Sequence, residues 1–389
     1  MSSEGAAANP KVPLRTIVGQ WGRLGCIGFG GPPAHITLLR RLCVTNHAWM
    51  DEHEFEDAIA TTSLLPGPAS TQLAIYCAWR LRGAVGALVG GVFFIAPGLV
   101  LIIALAAVFL EHDPPLWILG ASAGAGAGVP AVALHAATQL LPQSRQRLGT
   151  GRFTLLRWII YGVVGVTVAA TIGQFVVLAL LGCGLLEVVI RSPNGHSQHA
   201  GLVPLALAKG AALGGLGALT WVSLKIGALS YGGGFVIIPL MQHDVVSTYH
   251  WMTAAQFLNA VALGQITPGP LVQTIAVVGY AVGGVGFALL AAALAFGPSF
   301  LFIIVGAPRF AALRVNRSVI SFLRGAGPCV IGAIAGSSIV LGRSLTQPWQ
   351  FILLVVALLW FFALKKGVVP LLLLCGVVGV FLALAGIKQ

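Results

Sequence analysis

Charge is what this chain has least of. Of its 389 residues only 8% are Asp, Glu, Lys or Arg, while 57% are hydrophobic. A soluble domain carries about 25% charged residues, and much of any folded surface must stay wet. A soluble fold of this size is therefore excluded. Acid is scarcest, with 10 acidic residues against 22 basic ones and a net charge of +12. In a soluble protein that excess would point to nucleic acid. Here basic residues such as Arg145, Arg147, Arg152 and Arg157 gather at the ends of apolar runs. Cytoplasmic loops of membrane proteins are enriched in the same way, so no nucleic-acid partner is expected. Cysteine pairing is missing as well. Cys26, Cys43, Cys77, Cys183, Cys329 and Cys375 lie far apart, with neither CxxC nor Cys/His ligand spacing, which argues against a disulfide framework and a metal centre. The polar first dozen residues lead into no signal-peptide pattern, so the spans themselves are expected to direct insertion. There is no HExxH, no Walker A motif and no Ser/His/Asp arrangement in a recognisable context. An enzyme, a cofactor and an ATP-driven pump are accordingly not expected.

Long apolar stretches and glycine are abundant. Gly83–Leu110 runs 28 residues without a formal charge, and about 20 apolar residues span a bilayer core as helix. The 51 glycines suit helices that approach one another closely in lipid. The chain also repeats itself. A shift of 202 lays Gly25–Tyr76 over Gly227–Val278 without a gap, and 15 of the 52 pairs are identical. Trp49 falls on Trp251, Phe55 on Phe257, and Pro66-Gly67-Pro68 on Pro268-Gly269-Pro270. An apolar composition alone does not align Trp with Trp and Pro-Gly-Pro with Pro-Gly-Pro.

The expected fold is an all-α polytopic membrane protein of two homologous helical repeats. Residues 1–190 form the first repeat, 191–201 a polar linker containing His196 and His199, and 202–389 the second repeat. Each copy reads as an apolar helix (13–29; 203–231), a Gly-rich break, two short segments around the Trp, and a helix after Pro-Gly-Pro (67–82; 269–283). A long apolar helix (83–110; 284–306), a Gly-rich helix (116–141; 318–341) and two closing helices (155–172 and 174–190; 349–364 and 367–387) follow. Arg80 and Arg82 precede the first long helix and Glu111 and Asp113 follow it, whereas Arg309, Arg314 and Arg317 follow the second. If basic ends face the cytoplasm, the two long helices run in opposite directions, as in inverted-repeat transporters. Lys11 and Arg15 fit that scheme only if the first segment is not a full span.

Two motifs should break helices inside the membrane. One is Phe29-Gly30-Gly31-Pro32-Pro33-Ala34-His35, matched by Tyr231-Gly232-Gly233-Gly234-Phe235; the other is the repeated Pro-Gly-Pro. Proline lacks an amide donor and suits the first turn of a new helix. Such breaks are tolerated at depth only where the freed backbone is buried or lines a cavity, and new helix N-termini favour an anion. Arg23 and Lys225 superpose under the repeat and sit within apolar helices. A cation there is costly unless paired or wet; few acids are available, and a bound anion is the expected partner. Ser63 and Gln265, three positions before the repeated prolines, could donate to a substrate or cap the broken backbone. His35 could couple proton movement, with Asp57 a second candidate. The acidic run Asp51, Glu52, Glu54, Glu56 and Asp57 reads mainly as a solvated helix start.

On these residues the sequence resembles the chromate ion transporter family in its long two-domain form. The stretches that carry the resemblance are Phe29–His35 (FGGPPAH), Tyr231–Leu240 (YGGGFVIIPL) and Gln256–Pro270 (QFLNAVALGQITPGP), running into Gly279-Tyr280. The resemblance implies export of chromate across the cell membrane in exchange for protons. Sulfate and related tetrahedral oxyanions match chromate in size and charge. From the breaks, the cations and His35, the expected substrate-binding residues are Arg23, Gly30, Gly31, His35, Pro66, Gly67, Pro68, Lys225, Gly232, Gly233, Gly234, Gln265, Pro268, Gly269 and Pro270, with the two Pro-Gly-Pro ends and Arg23/Lys225 converging near the bilayer midplane around a dianion. The expected partners are the oxyanion, protons and the lipid bilayer, with a homodimer as an allowed assembly. An oxyanion channel or a sulfate importer on the same scaffold is the alternative.

Overall fold

The computed structural model of the chain describes residues 12–63, 65–111, 114–146, 148, 152–191, 215–230, 237–307 and 316–387. Gly232, Gly233, Gly234, Lys11, Asp113, Arg309, Arg314, His196 and His199 lie outside the described residues. Among the described residues there are helices and no strands. In the first copy these are α1 (Leu14–Ile27), α2 (Pro32–Arg40), α3 (Glu52–Thr62), α4 (Ala69–Phe109), α5 (Leu116–Gln146), α6 (Arg152–Thr171) and α7 (Val176–Arg191). In the second they are α8 (Gly215–Leu229), α9 (Ile237–Gln242), α10 (Ala254–Ile266), α11 (Thr274–Gly306), α12 (Arg317–Arg343), α13 (Pro348–Phe362) and α14 (Val368–Leu384). Among the described residues, five segments are long and apolar enough to cross a membrane: Ala69–Phe109, Leu116–Gln146, Thr154–Thr171, Leu271–Gly306 and Arg317–Arg343.

The duplication extends to local geometry. Arg41–Asn46 and His243–Thr248 are both π-helical turns, and Ala48 and His250 both take positive φ, 47° and 53°. Both long helices bend sharply at a glycine where the sequence predicts a new helix. Gly83 has φ 59° and Gly284 has φ 76°, a region that residues with a Cβ rarely enter.

Helices α3 and the first limb of α4 form a re-entrant hairpin. Glu54, near the start of α3, is ion-paired with Arg80, near the end of that limb, so Pro66-Gly67-Pro68 lies at the tip. The acidic run caps and braces the base of this hairpin. Asp51 Oδ1 accepts from Glu54 N at 2.7 Å, and Arg40 is ion-paired with Glu52 and Glu56. The run is a largely exposed helix start, as expected, with Asp51 at the N-cap and Glu52 and Glu54 in the first turn. What the sequence did not indicate is that arginines return to the same end and pair with it.

Helix α1 has 14 residues, about 21 Å, and cannot cross a core of about 30 Å. It packs parallel to the long limb of α4, with Gly22 against Phe93 and Gly25 against the Phe94 backbone. Arg15 therefore lies at the same end as Arg80 and Arg82. The apparent conflict between Arg15 and the inverted scheme comes from a half-span that turns back at Gly28–Gly31.

The long limbs of α4 and α11 pack antiparallel. Ala87 clusters with Ile303, and a Cβ on Gly91 would lie 2.3 Å from the Phe300 ring. Equivalent helices that cross a membrane in opposite directions are related by an axis in the membrane plane, which is the inverted arrangement. The copies also interlock. In the first, α5 packs on α14, Gly120 meeting Gly379 and Gly124 meeting Cys375. In the second, α12 packs on α6 and α7, Gly332 meeting Gly162 and Gly325 meeting Cys183. Each Gly-rich helix is thus held by the closing pair of the other copy. Backbones this close need small residues at the contact.

Candidate functional site

The second copy's hairpin tip meets the glycine break of the first copy. Gly269 N donates to Gly28 O at 2.9 Å, joining the first copy's glycine break to the second copy's Pro-Gly-Pro. The same carbonyl accepts from His35 Nε2 at 2.9 Å, which uses both its lone pairs. His35 Nδ1 lies 3.1 Å from Ser70 Oγ, and the ring meets Phe94 edge-on at 5.2 Å. His35 is 1% exposed. It works as a joint between three segments.

The backbone freed by the prolines is bonded by glutamine. Gln72 Nε2 donates to Pro66 O at 2.7 Å. Gln273 Nε2 donates to Pro268 O at 2.9 Å and to Thr267 Oγ1 at 2.8 Å. The tips then lie against the long helix of the opposite copy. A Cβ on Gly67 would come within 3.1 Å of Ser299 Oγ, and one on Gly98 would fall 1.9 Å from Pro268 O. Broken helices are tolerated at depth on these terms, buried in protein and internally bonded.

From the tips of the first copy a cavity of about 750 Å³ runs to one end of the bundle. Gly30, Ser63, Gly67 and Ala69 line its inner part. His135 of α5 and the pair Lys365-Lys366 after α13 line the rest. None of the described lining residues is Asp or Glu. Lys366 Nζ stands 5.2 Å over the Trp360 ring, and Lys365 takes φ 52° at the helix end. His135 stacks on Phe361 at 4.5 Å and lies 2.9 Å from Gln139 Nε2. Arg145, Arg157, Arg191 and Arg324 gather at the same end as the lysines, around Ser144 and Trp158. By the positive-inside rule that end faces the cytoplasm.

The expected site residues separate into groups. Gly30 and Gly67 reach the cavity, Gly31 caps α2 beside it with φ 74°, and His35 lies buried behind it. Pro66 is exposed and Pro68 buried, while Pro268, Gly269 and Pro270 are all buried under the first copy's long helix. Gln265 is half-buried, its Nε2 without a partner among the described residues. The two equivalent cations do not converge. Arg23 is exposed, and Lys225 is ion-paired with Asp244, their side chains 13% and 11% exposed. A bound anion was the expected partner of Lys225; in the structure one of the few acids, Asp244, takes that place. The π-helical turn after α9 carries Asp244 back to α8, and at the equivalent place the first copy has Leu42. Asp57, the second proton-coupling candidate, lies on the α3 surface, its side chain 39% exposed and 3.6 Å from His53 Nδ1. Sequence reasoning missed Lys365, Lys366 and His135. His135 carried a signal, as an ionisable side chain inside a Gly-rich span is a functional candidate by default.

The family described as chromate transporter matches residues 15–188 and 217–380, the two copies in turn. The chain belongs to the chromate transporter family. It is 33% identical over 347 residues to the chromate transport protein of Cupriavidus metallidurans, covering 86% of this chain and 84% of that protein. A probable chromate transport protein of Synechococcus elongatus is 31% identical, covering 92% of each chain. The chromate transport protein of Pseudomonas aeruginosa is 29% identical, covering 96% of this chain and 93% of that one. No solved structure matches. With its apolar spans, the chain is a multi-pass integral membrane protein, and its family is one of transporters rather than enzymes.

Proposed function

We propose that this transporter exports chromate from the cytoplasm in exchange for protons, with sulfate and related tetrahedral oxyanions competing for the same path. The cavity carries the reading. It joins the half-helix tip at Gly67 to Lys365 and Lys366, has no carboxylate among its described lining residues, and opens at the basic end. A dianion entering there meets lysines first and then the backbone of a helix start, both of which favour negative charge. His35 is the proposed proton carrier, because its ring ties the first copy's break to Ser70 and shares Gly28 O with the second copy's tip. Rocking of one copy against the other would then alternate access. The same reading takes residues 1–190 and 202–389 as the two membrane units joined by 191–201, and a second copy of the chain as a further partner.

The test is flux of labelled chromate and sulfate into inverted vesicles, with and without a proton gradient. Gradient-dependent chromate uptake is expected, and no gradient-dependent movement of either anion would sink the proposal. Currents that persist without any coupled ion would identify a channel instead. Replacing Lys365 and Lys366 together by Gln should raise the KM for chromate about tenfold, since focused charge at a cleft mouth changes local anion capture by that order or more. Both lysines are exposed, so the variant should melt as the wild type does. An unchanged KM would remove the pair from the path.

A further inference from the structure

The helices pack into two units, and neither unit is a copy. In a central unit, α1 packs on α4, α8 on α11, and α4 on α11. Gly25 meets the Phe94 backbone and Gly227 the Ala295 backbone. Trp21 Nε1 donates to Ala74 O at 2.8 Å, and Gly269 N donates to Gly28 O across the copies. In an outer unit, α5 packs on α13 and α14, α12 on α6 and α7, and α5 on α12. Gly165 meets the Cys329 backbone and Gly332 the Gly162 backbone. Trp158 Nε1 donates to Ser144 Oγ at 2.8 Å. Helices in contact at their backbones cannot slide or part without losing that fit, so each unit is rigid.

The boundary between the units differs on its two sides. On the second copy's side, α9 packs on α12, and α10 on α5 and α14. Those contacts run through side chains: Leu240 clusters with Ala136, Val177 and Ile331, and Gly126 faces Leu258. On the first copy's side the cavity fills the boundary. Pro32, Ile36 and Ser63 of the central unit form one wall, and His135, Ser144 and Val330 of the outer unit face them. The equivalents across the copies are unequal in exposure. Ile36 is half-buried and Ile238 only 1% exposed; Pro66 is exposed and Pro268 buried. In an inverted repeat, the change of state exchanges the two halves' conformations.

We propose that access alternates by rigid movement of the central unit (α1–α4 with α8–α11) against the outer unit (α5–α7 with α12–α14), the oxyanion being carried in the seam between them. The inference rests on the transport reading and refines the rocking in it, since each moving body takes half of either copy. The structure is the state open to the cytoplasm. In the opposite state α2 and α3 close on the outer unit while α9 and α10 leave it. Gln265, the counterpart of Ser63, then faces the outside, and its buried Nε2, without a partner among the described residues, gains one.

The experiment compares two engineered disulfides in the full chain, each joining one copy to the other. Disulfide Cβ atoms lie about 3.5–4.5 Å apart. A Cβ on Gly173 would lie 3.5 Å from His243 Cβ, and one on Gly376 would lie 3.9 Å from Ala125 Cβ. Gly173→Cys with His243→Cys bridges the two units, whereas Ala125→Cys with Gly376→Cys lies within the outer unit. Oxidation by copper phenanthroline should stop chromate flux in the first pair, and reduction followed by removal of the reductant should restore it. The second pair should keep wild-type flux when oxidised. Loss of flux in the oxidised second pair would show the copies themselves moving apart and overturn the units, as would full flux in a completely oxidised first pair. Gln265→Cys reads the motion without reference to substrate. An impermeant maleimide added outside whole cells should label the peptide carrying residue 265, and the 173–243 disulfide should block that labelling while the 125–376 disulfide does not. No external labelling of residue 265 in any form also overturns the units, even where a disulfide pair fails to fold. Wild-type vesicles that move no chromate, with this labelling pattern intact, would sink the transport reading and leave the two units standing.

Discussion

Lys225→Met is expected to destabilise the protein by about 3–5 kcal/mol, because it strands Asp244 as an uncompensated buried charge. The two side chains are 13% and 11% exposed and in direct contact, so water cannot replace the missing partner. Adding Asp244→Asn should restore most of the loss, since a neutral pair no longer carries the desolvation cost of a lone carboxylate. Thermal melting in detergent micelles reads both variants. A single variant as stable as the wild type, or a double variant no better than the single, would show that the pair is not what holds α8 to the turn after α9. The same series decides a functional point. From sequence, Lys225 reads as a substrate ligand whose loss abolishes flux in a folded protein. In the structure its charge is already neutralised, so loss of flux in the single variant should accompany loss of fold. If the double variant folds and still moves chromate, Lys225 is not a ligand.

Gly98→Ala should have the second large effect, with the sign opposite to the usual one. In a helix interior this change normally gains about 1 kcal/mol. At Gly98 the new Cβ would lie 1.9 Å from Pro268 O and 2.7 Å from Gln273 Oε1. The carbonyl belongs to backbone fixed between two prolines, and Gln273 is committed to Pro268 and Thr267, so neither can yield without moving the tip. Overpacking costs about 1–3 kcal/mol, occasionally more, and here it separates the two copies where their breaks meet. Chromate flux should fall at least about tenfold, the factor that 1.4 kcal/mol represents. Gly22→Ala is the control. Its nearest new neighbour is Phe93 Cδ1 at 3.9 Å, an ordinary contact, so stability and flux should match the wild type. Full flux in Gly98→Ala would mean that the tip is not held as the structure has it.

These two sites differ in how readable they were. Gly98 follows Pro97 in a long apolar run and matches Ser299 of the second copy, so sequence alone gave no reason to single it out. The close approach exists because the second copy's hairpin enters from the opposite side. The Pro-Gly-Pro motif that meets it was legible, since proline and glycine report local backbone constraints and the duplication shows them twice. The bends at Gly83 and Gly284 were legible on the same ground. Lys225 was singled out for the right reason, a cation in an apolar helix, and its partner was missed.

The sequence by itself determined the membrane class, the duplication, the order of helices and the places where they break. Each of these rests on composition or on the local demands of Pro, Gly and charge, which a chain carries wherever it folds. Only the tertiary structure decided which of those residues meet. It left Arg23 exposed and paired its counterpart Lys225 with Asp244, because the first copy has Leu42 where the second has the acid. It brought Lys365, Lys366 and His135 to the cavity from helices of different copies. Which face of a helix meets lipid, protein or an aqueous path depends on the neighbours that pack against it, and in an interlocked inverted pair those neighbours come from the other half of the chain.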